Sequence, residues 1–277
     1  MSVLLKTIFT QEQNEFMRMN YSTMSYHEIA EKLGFTERQV RGRINNMGLS
    51  KLRKFDKKFF KEINTASKAY WLGFIYADGC VIHNKVRRNY ELNLDIQHQD
   101  SYLLEELNKE LGGVHTVTFR KRGQSFNGYT YTSHGAILRI LSKEIVEDLI
   151  NHNVLPNKTL QSDFPKCQNF FWDFLRGFNV GDGCLYVNSK SLLMYEQLTN
   201  ANRNFLEYLE NEIYARLRIR GSVYKENDRK FRLVYFRKQD TKLLLDEIYK
   251  DENCVKLSRK FSIYKSHYWP SQLEIAG

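Results

Sequence analysis

Two aspartates sit in stretches that match each other. Asp78 lies in WLGFIYADGC (71–80) and Asp182 in LRGFNVGDGC (175–184). Gly73, Phe74, Asp78, Gly79 and Cys80 recur as Gly177, Phe178, Asp182, Gly183 and Cys184, each 104 residues later. An acid near a helix C-terminus opposes the helix dipole, which lowers stability. Two such acids brought together repel, and their pKa values rise unless a cation lies between them. A hard divalent ion, held by carboxylate and water oxygens, offsets both the repulsion and the dipole. The expected metal ligands are Asp78 and Asp182, with the Gly79 and Gly183 backbone at the same turns.

The elements that must position these acids follow from the residues around them. Trp71, Leu72, Phe74 and Ile75 read as core. Gly73 and Ala77, like Gly177 and Gly181, are small residues four apart on one helical face. Small residues at that spacing let two helix backbones approach closely. Packed side by side and parallel, the two helices would bring their C-terminal ends together. Gly79 and Gly183 read as residues that end each helix in left-handed geometry. Either stretch alone is an ordinary Asp-Gly turn after a buried helix; the matched pair points to a shared site.

The chain has 277 residues, 42% hydrophobic and 14% aromatic, which describes a globular protein with a sizeable core. No apolar run reaches the ~20 residues of a membrane helix, and the opening MSVLLKTIFTQEQNEF is too polar for a secretory signal. A cytoplasmic protein without a membrane partner is expected. The net charge of +10 points to a polyanionic partner, with a plain basic protein as the alternative. Cys80, Cys167, Cys184 and Cys254 form no C-x-x-C pair, so they read as reduced core residues rather than a zinc site or disulfide frame.

After each motif the same order of elements can be read, αββαββα. In the first half, Tyr90, Leu92, Leu94 and Ile96 alternate with polar residues, the period of a half-buried strand. The turn before them carries Lys85, Arg87 and Arg88. A third strand would turn Thr118, Arg120 and Arg122 to one face, and a hairpin in the second half carries Lys230 and Arg232. A polar, basic sheet face recurring in two halves points to nucleic acid. Residues 25–51 differ: two short helices, with Ile29, Leu33, Val40 and Ile44 as core and Gly34 at the turn, have helix-turn-helix spacing. The second helix, capped by Thr36, would present Gln39, Arg41, Arg43 and Asn45 to DNA. The expected class is α+β. Its parts are a helix-turn-helix module (1–50), a basic linker (51–66) and two pseudo-symmetric halves (67–165 and 166–277).

At Trp71–Gly79 and Leu175–Gly183 the sequence resembles the LAGLIDADG homing endonucleases in their single-chain, two-motif form. The resemblance spans about residues 66–268, and the N-terminal segment is similar to helix-turn-helix modules of phage and bacterial relatives. The sixth motif position, often acidic in that family, is Tyr76 and Val180 here; the eighth, the metal-binding acid, is Asp78 and Asp182. The resemblance implies a saddle over duplex DNA, Mg²⁺ or Mn²⁺ as cofactor, and cleavage across one minor groove leaving short 3′ overhangs. It further implies a lysine after each half's closing helix, Lys158 and Lys260, and a polar residue near the end of each second strand, Gln97 and Gln197. A monomer reading a long asymmetric double-stranded site, in a bacterial or phage-infected cytoplasm, is expected. The alternatives are a non-cleaving DNA-binding regulator and an intron RNA-splicing helper on the same fold.

Overall fold

A hydroxyl residue opens each of the first three helices. Thr10, Ser25 and Thr36 cap α1 (Gln11–Asn20), α2 (Tyr26–Leu33) and α3 (Glu37–Asn46). In each, the side chain three residues on reaches back to the cap nitrogen, so two orphan donors are satisfied at once. The computed structural model describes residues 9–21, 23–49, 55–126, 129–156, 164, 165, 167–187, 194–228 and 230–268. The chain falls into two units, Met1–Lys54 and Phe55–Gly277. In the first, Met17, Ile29, Ala30, Val40 and Ile44 form a small core, and Gly34 turns the chain between α2 and α3 at φ 72°.

The second unit begins earlier than a basic linker over 51–66 would allow. Phe59 and Phe60 are buried in its core, with Phe55 and Ile63 packed against it. Two rings and two further apolar side chains outweigh the intervening lysines as determinants of position. The unit then repeats itself. The first half runs α4 (Ala66–Asp78), β1 (Gly79–Asn84), β2 (Asn89–Gln97), α5 (Tyr102–Glu110), β3 (Thr118–Phe126), β4 (Tyr129–Leu141) and α6 (Lys143–Asn151). The second runs α7 (Phe171–Asp182), β5 (Gly183–Val187), β6 (Met194–Asn200), α8 (Arg203–Leu217), β7 (Ser222–Asn227), β8 (Lys230–Tyr235) and α9 (Lys238–Ile248), and adds α10 (Ser258–Tyr268). Each half builds one antiparallel four-stranded sheet, in the orders β1-β2-β4-β3 and β5-β6-β8-β7. Leu92, Leu94, Ala136, Leu138 and Ile140 turn one face of the first sheet into the core, against Leu103, Leu107, Ile145 and Leu149 of its helices. The alternate residues form an open face.

The most extensive contact between elements outside the sheets is that of α4 with α7. Every residue from Ala69 to Tyr76 is buried, as a helix apolar on all sides must be. The small residues set how close the two backbones come. A methyl group on Gly73 would overlap the Phe174 carbonyl and lie 2.9 Å from the Phe178 nitrogen. One on Gly177 would overlap the Tyr70 carbonyl and lie 2.8 Å from the Phe74 nitrogen. The two sets of contacts are images of each other, so the seam is pseudo-symmetric. Alanine gains about 1 kcal/mol of helix propensity over glycine, but overpacking of this kind costs about 1–3 kcal/mol or more, and here the neighbour is rigid backbone. Gly177→Ala is therefore expected to lower the unfolding midpoint of the second unit in urea. A midpoint at or above wild type would show that the helices separate without cost.

Candidate functional site

The seam brings Asp78 against the residue that precedes Asp182. The Asp78 carboxyl lies against Gly181 on the facing helix, where a methyl group would sit 2.5–2.6 Å from its carbon and oxygens. Gly181 is thus the cradle that lets Asp78 reach across to within one residue of Asp182. Asp182 in turn lies close enough to Tyr76, on α4, that its charge adds to burial in raising the phenol pKa. Tyr76 fills the seam from the other side, its ring 4.8 Å from Phe205 and 5.9 Å from Phe174. The sixth motif position is therefore packing.

Gly79 and Gly183 do not adopt left-handed geometry. Their φ values are −75° and −91°, and each is the first residue of a strand. Glycine is needed for room: a side chain on Gly79 would meet the Ile75 carbonyl at 2.5 Å, and one on Gly183 the Asn179 carbonyl at 2.5 Å. Each chain passes from helix to strand without a loop, so the acid at the junction is held by regular structure on both sides.

Lys260 does not stand on the surface. It is buried on α10, and its ammonium donates to the carbonyls of Val180 at 2.9 Å, Gly183 at 2.5 Å and Asn179. All three lie at the α7 C-terminus, which Lys260 caps; the Asn179 carbonyl also accepts from the Gly183 N–H. The Gly183 carbonyl, expected beside the metal, accepts from this lysine. Behind Lys260 lies Glu196, fully buried on β6, which accepts a hydrogen bond from Asn179 Nδ2. Burial pushes the Glu196 carboxyl up and the Lys260 ammonium down, and their mutual attraction opposes both shifts. No sequence signal marked Glu196 or Asn179. Lys158 lies outside the described residues.

The strand register corrects the glutamines. Gly79 faces Leu94 and Gly183 faces Leu198, the same spacing in both halves. Gln197 faces Cys184 as Asn93 faces Cys80, so its counterpart is Asn93, and Gln97 has no counterpart on β6. Gln97 does line a cavity of about 370 Å³ with Asp78, Asp95, Arg120, Gly181 and Arg259. Within it Arg120 is paired with Asp95, and Arg259 with Asp100 at 3.3 Å, so Arg120 is neutralised in place. Cys80 and Cys184 are exposed rather than core, because the residue after each glycine falls on the open face.

Among the other expected contacts, Lys85, Arg87, Arg88 and Arg122 are exposed. Lys230 and Arg232 share Glu226 at 3.3 and 3.7 Å. On α3, Arg41 is exposed beside Glu37 and Asn45 is exposed. Arg43 is turned inward, its Nε donating to Asn14 Oδ1 at 2.7 Å, and the Gln39 side-chain Oε1 accepts from the Thr36 nitrogen at 2.9 Å. Arg38, one turn before Arg41, is exposed and was missed; the helical period from Arg41 and Asn45 marks its face.

No family model matches the chain, and no curated protein gives a significant sequence match. Solved structures do match. The homing endonuclease I-WcaI bound to its DNA recognition sequence aligns with a TM-score of 0.50 and 17% identity, over 72% of this chain and 87% of that one. The chain has the LAGLIDADG homing-endonuclease fold. Mesophilic variants of I-DmoI align at 0.48 and 16%, over 72% of this chain and 96% of theirs. The N-terminal LAGLIDADG domain of DUF199/WhiA aligns at 0.44 and 15%, over 78% and 98%.

LAGLIDADG homing endonucleases are typically divalent-metal dependent, and the donor set here can be compared with what such an ion needs. Among the described residues no group of three or more His, Cys, Asp or Glu could hold a metal. That excludes a closed zinc-type cage there, which needs three or four protein ligands. Mg²⁺ is commonly bound through one or two carboxylates, its shell completed by water and substrate phosphate oxygens. The Asp78 carboxyl at the Gly181 cradle, one residue from Asp182, suits such an ion. Among the described residues no helix is long and apolar enough to cross a membrane.

Proposed function

We propose that the chain is a site-specific, divalent-metal-dependent endonuclease of double-stranded DNA. The observation that carries this reading is the Asp78 carboxyl resting on Gly181, one residue from Asp182, at the seam between two pseudo-symmetric sheets. Asp78 and Asp182 hold the cation, one acid per strand of the duplex. The bound cation supplies Lewis-acid stabilisation of phosphoryl charge and of the departing 3′ oxygen. Lys260 keeps the α7 terminus fixed and sets a positive charge against the dipole that Asp182 opposes. Gln97 lines the Asp78 cavity, where its amide can orient water or a phosphate oxygen. Lys158, after α6, is assigned to phosphate charge on the resemblance alone.

Positioning on DNA falls to the open sheet faces. Lys85, Arg87, Arg88 and Arg122 contact phosphates and set affinity; base contacts set specificity. The first unit, as a helix-turn-helix, would add Arg38, Arg41 and Asn45 and lengthen the site. Two unlike halves in one chain read an asymmetric target as a monomer.

The deciding experiment incubates the full-length protein with duplex DNA from around its own gene, with Mg²⁺ and with EDTA. Cuts with short 3′ overhangs in Mg²⁺, absent in EDTA, are expected. Tight binding to that DNA in both conditions without any cut would make the protein a regulator on the same fold.

A further inference from the structure

The two sheets share a topology but not an open face. On the first, Asn93, Asp95, Gln97, Arg120, Arg122 and Arg139 occupy it. On the second, the corresponding surface carries Tyr186, Tyr195 and Tyr224, with Phe236 just past the end of β8. Tyr186 and Tyr195 are cross-strand partners with stacked rings, 6.2 Å apart and 14° from parallel. Phe236 meets Tyr195 and Tyr224 edge-on at 5.5 and 6.0 Å. The cluster lines a cavity of about 680 Å³ together with Gln197 and Arg232. Tyr186 is 55% exposed, Phe236 49% and Tyr224 45%. These rings are not overflow from the interior: Met194, Leu198, Leu233 and Tyr235 already fill the opposite face. A contiguous apolar patch held open to water marks a contact surface.

We propose that this face reads a thymine-rich half-site in duplex DNA, its rings packing on the 5-methyl groups in the major groove. Thymine is the one base that presents a methyl there, and the adenine opposite presents the edge that a glutamine amide pairs with. Gln197 sits among the rings to supply that amide. The occupant follows from continuity and charge. β5 starts directly from Asp182 as β1 starts from Asp78, so a duplex spanning both acids runs onto both open faces. Lys225 pairs with Asp228, and Lys230 and Arg232 share Glu226, so three cations against two acids leave net positive charge beside the patch for phosphate. This assignment takes its ligand, duplex DNA, from the function proposed above, and needs no cleavage.

The test uses the full-length protein in EDTA. Bound members of a random duplex pool are sequenced, and the selected site is remade with deoxyuridine for thymidine in one half at a time. Burying a methyl contributes about 0.8 kcal/mol, a fourfold change in affinity. One half enriched in thymine is expected, with uracil there weakening binding about fourfold per methyl and uracil in the other half having no effect. Tyr224→Ser and Phe236→Ser should abolish that penalty. A selected duplex without thymine enrichment, or indifferent to uracil, overturns this assignment and leaves the nuclease reading standing. Failure to select any duplex, with a single-stranded RNA pool retained instead, overturns both.

Discussion

Asp182→Asn is expected to leave DNA binding near wild type and to remove double-strand cleavage, the product being at most a nick. Asparagine keeps the shape of the side chain and loses the charge that holds a divalent cation. The loss falls on the transition state, where developing charge needs the cation, rather than on ground-state binding, which phosphate contacts dominate. The rate on the affected strand should fall on the order of 10²–10³-fold or more, the scale of losing one electrostatic contributor. Asp78→Asn should act on the opposite strand, because each helix carries one acid. Stability separates this role from a structural one. An acid at a helix C-terminus works against the dipole, so its neutralisation should leave the unfolding midpoint unchanged or raise it. Near-wild-type cleavage by either variant, or a lowered midpoint that accounts for the lost rate, would remove the carboxylates from the mechanism.

The motif helices were legible because their chemistry is local. Gly73 and Gly177 are small for a reason visible in their spacing, and the backbone contacts at both bear it out. Likewise the alternation of Leu92 and Leu94 with polar neighbours marks β2 and its buried face. What was not legible depends on partners remote in sequence. Gln97 and Gln197 stand 100 residues apart against 104 for the acids, and the β1–β2 and β5–β6 registers give that gap its meaning by aligning Gln197 with Asn93. Gly79 and Gly183 have the residue type of a left-handed cap, yet the constraint is the carbonyl four residues back. Arg43 has the charge of a DNA contact, but Asn14 on another helix claims it. The second sheet's aromatic face escaped notice because Tyr186, Tyr195, Tyr224 and Phe236 lie on three strands and an end. Only pairing brings them together.

Lys260 shows the same dependence on remote partners, and it yields the largest expected effect on stability. Lys260→Met strips a donor from three carbonyls at the α7 terminus and removes the positive charge that draws down the pKa of the buried Glu196 carboxyl. Each hydrogen bond so lost costs about 0.5–1.5 kcal/mol, and more where the acceptor is left buried and unsatisfied. Tryptophan fluorescence can follow this, since Trp71 and Trp172 belong to the second unit. A companion variant apportions the loss. The first half carries buried apolar residues, Ile75 and Leu92, where the second has Asn179 and Glu196. Adding Asn179→Ile and Glu196→Leu to Lys260→Met should recover the part due to Glu196, because replacing both partners of a buried polar contact by apolar groups is close to neutral. The uncapped carbonyls would still hold the triple variant below wild type, at about 1 kcal/mol for each lost hydrogen bond. A Lys260→Met protein that unfolds at the wild-type midpoint but cleaves slowly would return Lys260 to the phosphates. One that is destabilised, and regains cleavage when the triple variant regains stability, makes it the clamp that keeps Asp182 in place.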